Sequence, residues 1–88
     1  MQYPLETSQQ LSTLLRSLRQ SRQLTQAELG ERLGVNQKRI ARIESAPGVT
    51  SFDQISRLVA LMGHRLVLEE MPAAEAASAA PAQGGASW

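Results

Sequence analysis

The sequence predicts a small all-α domain of four to five helices, followed by one C-terminal β-strand and a disordered tail. Apolar residues recur at helical spacing, capping signals precede each recurrence, and glycines stand where helices should end. With 88 residues, the chain is predicted to form one domain with a small core. It has no cysteine and hence no disulfide to stabilise that core, so association of copies is the remaining way to bury more surface.

Two capping boxes open the first two predicted helices. Thr7–Gln10 precedes a helix of about 14 residues that ends near Arg22, and Thr25–Glu28 precedes a short helix that Gly34 ends. The apolar stripe of the first helix is Leu11, Leu14, Leu15 and Leu18.

Asn36 is the predicted cap of a third helix, which runs from Gln37 to about Ser45 and stops before Pro47. Ser51–Gln54 is a third capping box, and Gly63 ends the fourth helix. The predicted apolar stripe of that helix is Phe52, Ile55, Leu58, Val59 and Met62.

After the fourth helix the apolar spacing changes, and residues 65–70 are predicted to form a strand. A lone strand lacks a partner within its own chain, so Leu66, Val67 and Leu68 are predicted to pair with a second copy across a two-fold axis. The alternative is that these residues extend a helix or fray. Residues 1–71 thus form the domain, and the Ala-, Ser- and Pro-rich residues 72–88 a disordered tail.

Charge and residue types favour an anionic partner. All nine Lys and Arg lie between Arg16 and Arg65, where only four acidic residues oppose them. No apolar run reaches the roughly 20 residues of a membrane span, and no signal-peptide pattern opens the chain, so a cytoplasmic location is expected. The single histidine and the lack of cysteine predict no metal, no cofactor and no catalytic site.

The second and third helices, joined through a glycine turn, form a predicted helix-turn-helix. Gly30 would allow their close approach, and Leu29, Leu33, Val35, Ile40 and Ile43 would pack beneath them. The third helix then presents Gln37, Lys38, Ala41 and Arg42 outward, with Asn36 at its start and Arg39 beside them. Amide side chains pair with adenine and cationic ones with guanine in the major groove, so this face is predicted to bind DNA.

These residues resemble the Xre-type helix-turn-helix domain of the lambdoid phage repressors and Cro proteins. The matching motifs are L-T-Q-A-E-L-x-x-x-L-G-V at 24–35, I-x-x-I-E at 40–44, and Pro47 followed by T-S-F at 50–52. The resemblance implies a dimer that sets two recognition helices into successive major grooves of a palindromic operator. It also implies that Gln26 contacts a phosphate and that Arg19 and Glu44 form a partly buried ion pair.

Within that group the whole chain is similar to the HipB antitoxins, through its length, its post-helix strand and its tail ending in Trp88. This implies a nucleoid-associated bacterial repressor that also binds a HipA-type serine/threonine kinase toxin. Trp88 is then a candidate toxin contact, or else an inert end of the chain. The alternatives are a free-standing Xre-family regulator without a toxin, a protein-interaction adaptor, and an enzyme; for the last, no Ser/His/acid grouping is visible.

Overall fold

The computed structural model describes residues 2–74, and the following statements on structure concern that part of the chain. Its helices are α1 (Ser8–Ser21), α2 (Gln26–Leu33), α3 (Gln37–Ser45) and α4 (Phe52–Leu61), with a short 3-10 helix (Pro47–Val49) between α3 and α4. The predicted four-helix order is confirmed. The predicted tail from residue 75 onward, including Trp88, lies outside the described residues.

Two of the predicted capping boxes form completely. The hydroxyls of Thr7 and Thr25 accept backbone N–H groups at the third helical residue, and the Gln10 and Glu28 side chains accept the N–H of the cap in return. The N–H of Thr25 lies 2.8 Å from the Glu28 carboxylate and lowers the pKa of that carboxyl. Because that pKa is lowered on folding, the contribution of this bond is present above the unfolded pKa and is lost as the pH falls through the folded one.

The third capping box forms only in part. Ser51 accepts the N–H of Gln54 as predicted, but the Gln54 amide oxygen turns away and accepts two N–H groups of Arg39, with a distance of 3.1 Å from Arg39 Nε. A hydrogen bond from a charged donor is stronger than one from a neutral backbone N–H, so the side chain of Gln54 ties α4 to α3 instead.

A single core lies among the four helices. Its buried apolar members are Leu15, Leu18, Leu29, Ile40, Ile43, Ile55, Leu58, Val59 and Met62. Leu33 and Val35, predicted to lie beneath the helix pair, are half-buried at its edge. The prediction that Phe52 belongs to the apolar stripe of α4 is wrong, because its side chain is 70% exposed. Phe52 is the first helical residue and precedes the turn of α4 that packs on the core.

Gly30 lies where α2 meets the start of α3. A Cβ atom at this position would stand 2.7 Å from the carbonyl oxygen of Val35 and 3.2 Å from that of Asn36. Gly34 ends α2 in the left-handed conformation, with φ +86°, which glycine adopts without steric cost. The close approach of α2 and α3 therefore depends on one glycine for space and on a second for the turn.

Replacing Gly30 with alanine is expected to lower the free energy of unfolding by up to about 2 kcal/mol. Overpacking against backbone atoms costs about 1–3 kcal/mol, and the better helix propensity of alanine offsets about 1 kcal/mol of it. Urea unfolding followed by circular dichroism measures the change. Ser17→Ala, on the exposed face of α1, is the propensity control, and a Gly30→Ala protein as stable as that control would contradict the steric argument.

Residues 65–70, predicted to form a strand, have no regular secondary structure in the single chain. Leu66 is half-buried and packs against the core, whereas Val67 is 68% exposed and Leu68 is fully exposed. The alternative that this segment extends α4 is wrong, because α4 stops at Leu61 and Gly63 turns the chain with φ +81°. A strand formed only with a second copy stays a prediction.

Candidate nucleic-acid interface

Helix α3 has one buried side and one exposed side. Ile40 and Ile43 are completely buried beneath it, and this fixes its rotation about its own axis. Gln37, Lys38 and Arg42 are exposed, as the sequence predicts. Ala41, predicted to point outward with them, is half-buried.

The exposed side of α3 is cationic. Within residues 2–74, neither Lys38 nor Arg42 lies within ion-pairing distance of an acidic side chain. The acidic residue of α3, Glu44, is only 1% exposed and is paired with Arg19 of α1. The exposed side thus combines an amide with two positive charges that form no ion pair within the described part of the chain. Such a surface attracts phosphates and can form hydrogen bonds with base edges.

Glu44 joins α1 to α3. Its Oε2 atom accepts from Arg19 Nε at 2.6 Å, and Arg19 Nη1 donates to the carbonyl oxygen of Leu24 at 2.9 Å. The ion pair implied by the family resemblance is therefore confirmed. Arg16 approaches the same carboxylate at 4.0 Å, and the Ser12 hydroxyl donates to the backbone oxygen of Glu44. Nothing in the sequence pointed to the Ser12 contact, because a serine on a helix predicts no particular partner.

Gln26 and Gln37, the first residues of α2 and α3, lie side by side. Gln26 Nε2 donates to Glu44 Oε1 at 3.1 Å, and Gln37 Nε2 donates to Gln26 Oε1 at 2.6 Å. The structure thus brings together two residues that the sequence assigned separately, one to a phosphate and one to a base. A continuous chain of hydrogen bonds runs from the buried carboxylate of Glu44 to the exposed side of α3.

Asn36 and Arg39, two further predicted DNA-binding residues, also form bonds within the chain; the cap by Asn36 was predicted, and the bond of Arg39 was not. The Asn36 amide oxygen caps α3 by accepting the N–H of Arg39 at 2.8 Å. The half-buried guanidinium of Arg39 is bound to Gln54 on the α4 side of α3. Of the six predicted residues, Gln26 and Gln37 are hydrogen-bonded to each other at the α2–α3 junction, Lys38 and Arg42 are exposed along α3, and Arg39 lies toward α4.

Residues 2–74 contain no cluster of three or more His, Asp or Glu side chains arranged to hold a metal ion. None of their helices is both long enough and apolar enough to cross a membrane.

The two-helix unit, its glycine turn and its exposed polar side define a helix-turn-helix protein. Residues 10–69 match the family model described as "Helix-turn-helix domain", and the chain belongs to that family. This membership supports a DNA-binding regulator. No curated protein and no solved structure matches the chain.

Proposed function

We propose that this protein is a sequence-specific transcriptional repressor that binds a palindromic operator as a homodimer. The observation that supports the proposal is the exposed side of α3, where Lys38 and Arg42 form no ion pair with any residue of the described range 2–74 and Gln37 is held by a neighbouring amide. Phosphate attraction supplies affinity, and contacts to base edges supply sequence preference. The protein would then act at the chromosome in the bacterial cytoplasm.

A salt series separates this proposal from a protein-interaction adaptor with the same helices. Each phosphate contact releases a counterion, so log K against log salt should fall linearly with a slope of about −0.9 per contact. Fluorescence anisotropy with duplexes selected from a randomised library gives both the slope and the sequence preference. If the protein binds no duplex even at low salt, the repressor proposal is excluded and the protein-interaction adaptor remains.

Arg42→Ala is expected to weaken binding to the selected duplex by about 1–3 kcal/mol and to relax the preference at one base pair. The reason is the exposed position of Arg42 on α3, without an acidic partner among the described residues. Arg32→Ala is the matched control, since Arg32 is exposed in the last turn of α2, at the end away from Gln37. Equal affinities of the Arg42→Ala and Arg32→Ala proteins would remove Arg42 from the interface.

The dimer is proposed to form through residues 65–70 of two copies. The apolar side chains of Val67 and Leu68 lie in solvent in the single chain, and the backbone of this segment lies outside any helix or strand. Antiparallel pairing with a second copy would satisfy that backbone. It would also bring Leu68, on the strand face that it shares with the core-packed Leu66, against the partner copy.

Leu68→Lys is expected to convert the dimer into a monomer, because it places a charge in the proposed apolar contact. Monomer stability should change by no more than about 0.5 kcal/mol, since Leu68 is exposed. Sedimentation velocity measures the mass, and Val49→Lys, at an exposed apolar residue outside this segment, is the control. A Leu68→Lys protein that sediments as the wild-type dimer would contradict the pairing.

A narrower form of the proposal is a HipB-type antitoxin with a HipA-type kinase as second partner, in which Trp88 contacts the toxin. It rests on the sequence resemblance in length, post-helix segment and tail. The alternative is a free-standing Xre-family regulator. Purification of the protein from its native cell, followed by mass spectrometry, separates them: a co-purifying kinase supports the antitoxin, and DNA binding without a kinase supports the free-standing regulator.

A further inference from the structure

The segment at residues 65–70 has opposite charges at its two ends. It reads R-L-V-L-E-E, with a basic residue at its start and two acidic residues at its end. Arg65, Glu69 and Glu70 are exposed, and none of the three forms an ion pair within residues 2–74. Because this is the segment proposed to pair with a second copy, its charges distinguish between the possible ways of pairing.

The charges favour antiparallel over parallel pairing of two copies. In a parallel pair in register, each residue lies beside its own counterpart, so Arg65 would meet Arg65 and Glu69 would meet Glu69. Like charges directly opposite each other are destabilising. In an antiparallel pair the basic start of one copy lies beside the acidic end of the other. A second copy of this chain, running in the opposite direction, is therefore complementary in charge to the segment.

The pleat of a strand limits the register of such a pair. Successive side chains alternate between two faces, and side chains directly opposite each other lie on the same face. A two-fold axis perpendicular to the pair keeps the faces, so an odd-numbered residue meets an odd-numbered one and an even-numbered residue meets an even-numbered one. The pair is therefore centred on a residue, and Val67 and Leu68 are the two centres that pair most of the segment.

Centring the pair on Val67 matches the side chains on both faces. Leu66, which packs against the core, then lies opposite Leu68 of the second copy, and Leu68 is the side chain that is fully exposed in the single chain. On the other face, Arg65 lies opposite Glu69 of the second copy. The two-fold axis repeats each contact, so the dimer gains two apolar pairs and two ion pairs.

Centring the pair on Leu68 mismatches the side chains. Leu66 would lie opposite Glu70 of the second copy, on the face turned to the core, where a carboxylate would lose water without gaining a partner. Arg65 would lie opposite Met71 of the second copy instead of a carboxylate. Only the register centred on Val67 therefore brings opposite charges together and keeps the acidic side chains off the core face.

We propose that this chain selects a second copy of itself in one antiparallel register centred on Val67, through reciprocal ion pairs between Arg65 and Glu69. The inference rests on the proposed homodimer and adds to it the residues that choose the partner. A related chain with other charges at these positions would bring like charges together or leave one unpaired, and this is how charged residues exclude wrong partners. Both half-sites of the operator are then bound by the same chain.

Arg65→Glu and Glu69→Arg test the register as a pair of variants. In a dimer of either variant alone, like charges face each other at both places, so the Kd of dimerisation measured by sedimentation should rise about tenfold or more. In a mixed dimer of the two variants, opposite charges face each other at both places. Native mass spectrometry separates the three dimers by mass, and the mixed dimer is expected well above its statistical share.

Asp53→Arg and Arg57→Glu are the matched control pair. Both residues are exposed on α4, outside the segment, and the two variants carry the same changes of net charge as the test pair. Their mixture should contain only the statistical share of mixed dimer, which excludes attraction by net charge alone. The double variant Arg65→Glu/Glu69→Arg exchanges the charges within each copy and should dimerise as tightly as the wild type.

The outcomes separate the register from the dimer itself. Single variants that dimerise as tightly as the wild type would overturn the inference and leave the homodimer in place. A mixture of Arg65→Glu and Glu69→Arg with no more mixed dimer than the control mixture would do the same. Wild-type protein that sediments as a monomer at every concentration would instead refute the proposed homodimer, and the inference with it.

Discussion

Arg19→Ala is expected to lower the free energy of unfolding by about 3 kcal/mol. Removing one partner of a buried ion pair leaves the other charge without compensation, which costs about 3–5 kcal/mol. Glu44 is 1% exposed and the Arg19 side chain only 13%, so water reaches neither freely. The lower end of the range applies because Arg16, 4.0 Å from the same carboxylate, can move closer and replace part of the lost charge.

Urea unfolding of Arg19→Ala and of Arg57→Ala provides the comparison. Arg57 is exposed on α4, and its loss should change stability by no more than about 0.5 kcal/mol. Equal stability of the two variants would mean that the Arg19–Glu44 pair adds little to the free energy of unfolding. Its role would then be limited to positioning side chains at the interface.

Ile43→Ala is expected to cost about 2–5 kcal/mol, the range for truncating a fully buried aliphatic side chain. Ile43 has no exposed surface and lies beneath α3, so the cavity would open under the exposed side that carries Lys38 and Arg42. In a domain this small such a loss is a large part of the total stability, and the melting temperature should fall by about 8–40 degrees.

Val49→Ala is the matched control for Ile43→Ala. Val49 is also aliphatic and follows α3 closely, but it is 76% exposed, so its truncation should change stability by no more than about 0.5 kcal/mol. Thermal unfolding followed by circular dichroism ranks the two. Equal melting temperatures of the Ile43→Ala and Val49→Ala proteins would mean that packing of the buried side of α3 does not stabilise the domain.

Helix positions were predictable from sequence because their signals are local. Thr7, Thr25 and Asn36 each place an acceptor within reach of free N–H groups at a helix start, and Gly34 suits the left-handed turn at a helix end. The exposed side of α3 followed from Ile40 and Ile43, because two buried residues fix the rotation of a short helix.

Contacts between helices were less predictable. The bond of Gln54 to Arg39, in place of its predicted return bond to the backbone N–H of Ser51, joins residues 15 positions apart, and no spacing rule connects them. Phe52 was misplaced because an apolar residue in the first turn fits the helical period without reaching the core. The bond between Gln26 and Gln37 could not be inferred from residue types alone, since each glutamine has many partners of equal chemistry.

Because the core is small, binding to its site should slow the degradation of this protein in a cell. The nine buried apolar side chains among residues 2–74 leave only a narrow margin against transient opening, and proteolysis acts on opened copies. A ligand present at 100 times its Kd would add about 2.7 kcal/mol of protection. Copies on their binding site would therefore persist, while surplus copies would be degraded first, so the number of available sites would help to set how much of the protein accumulates.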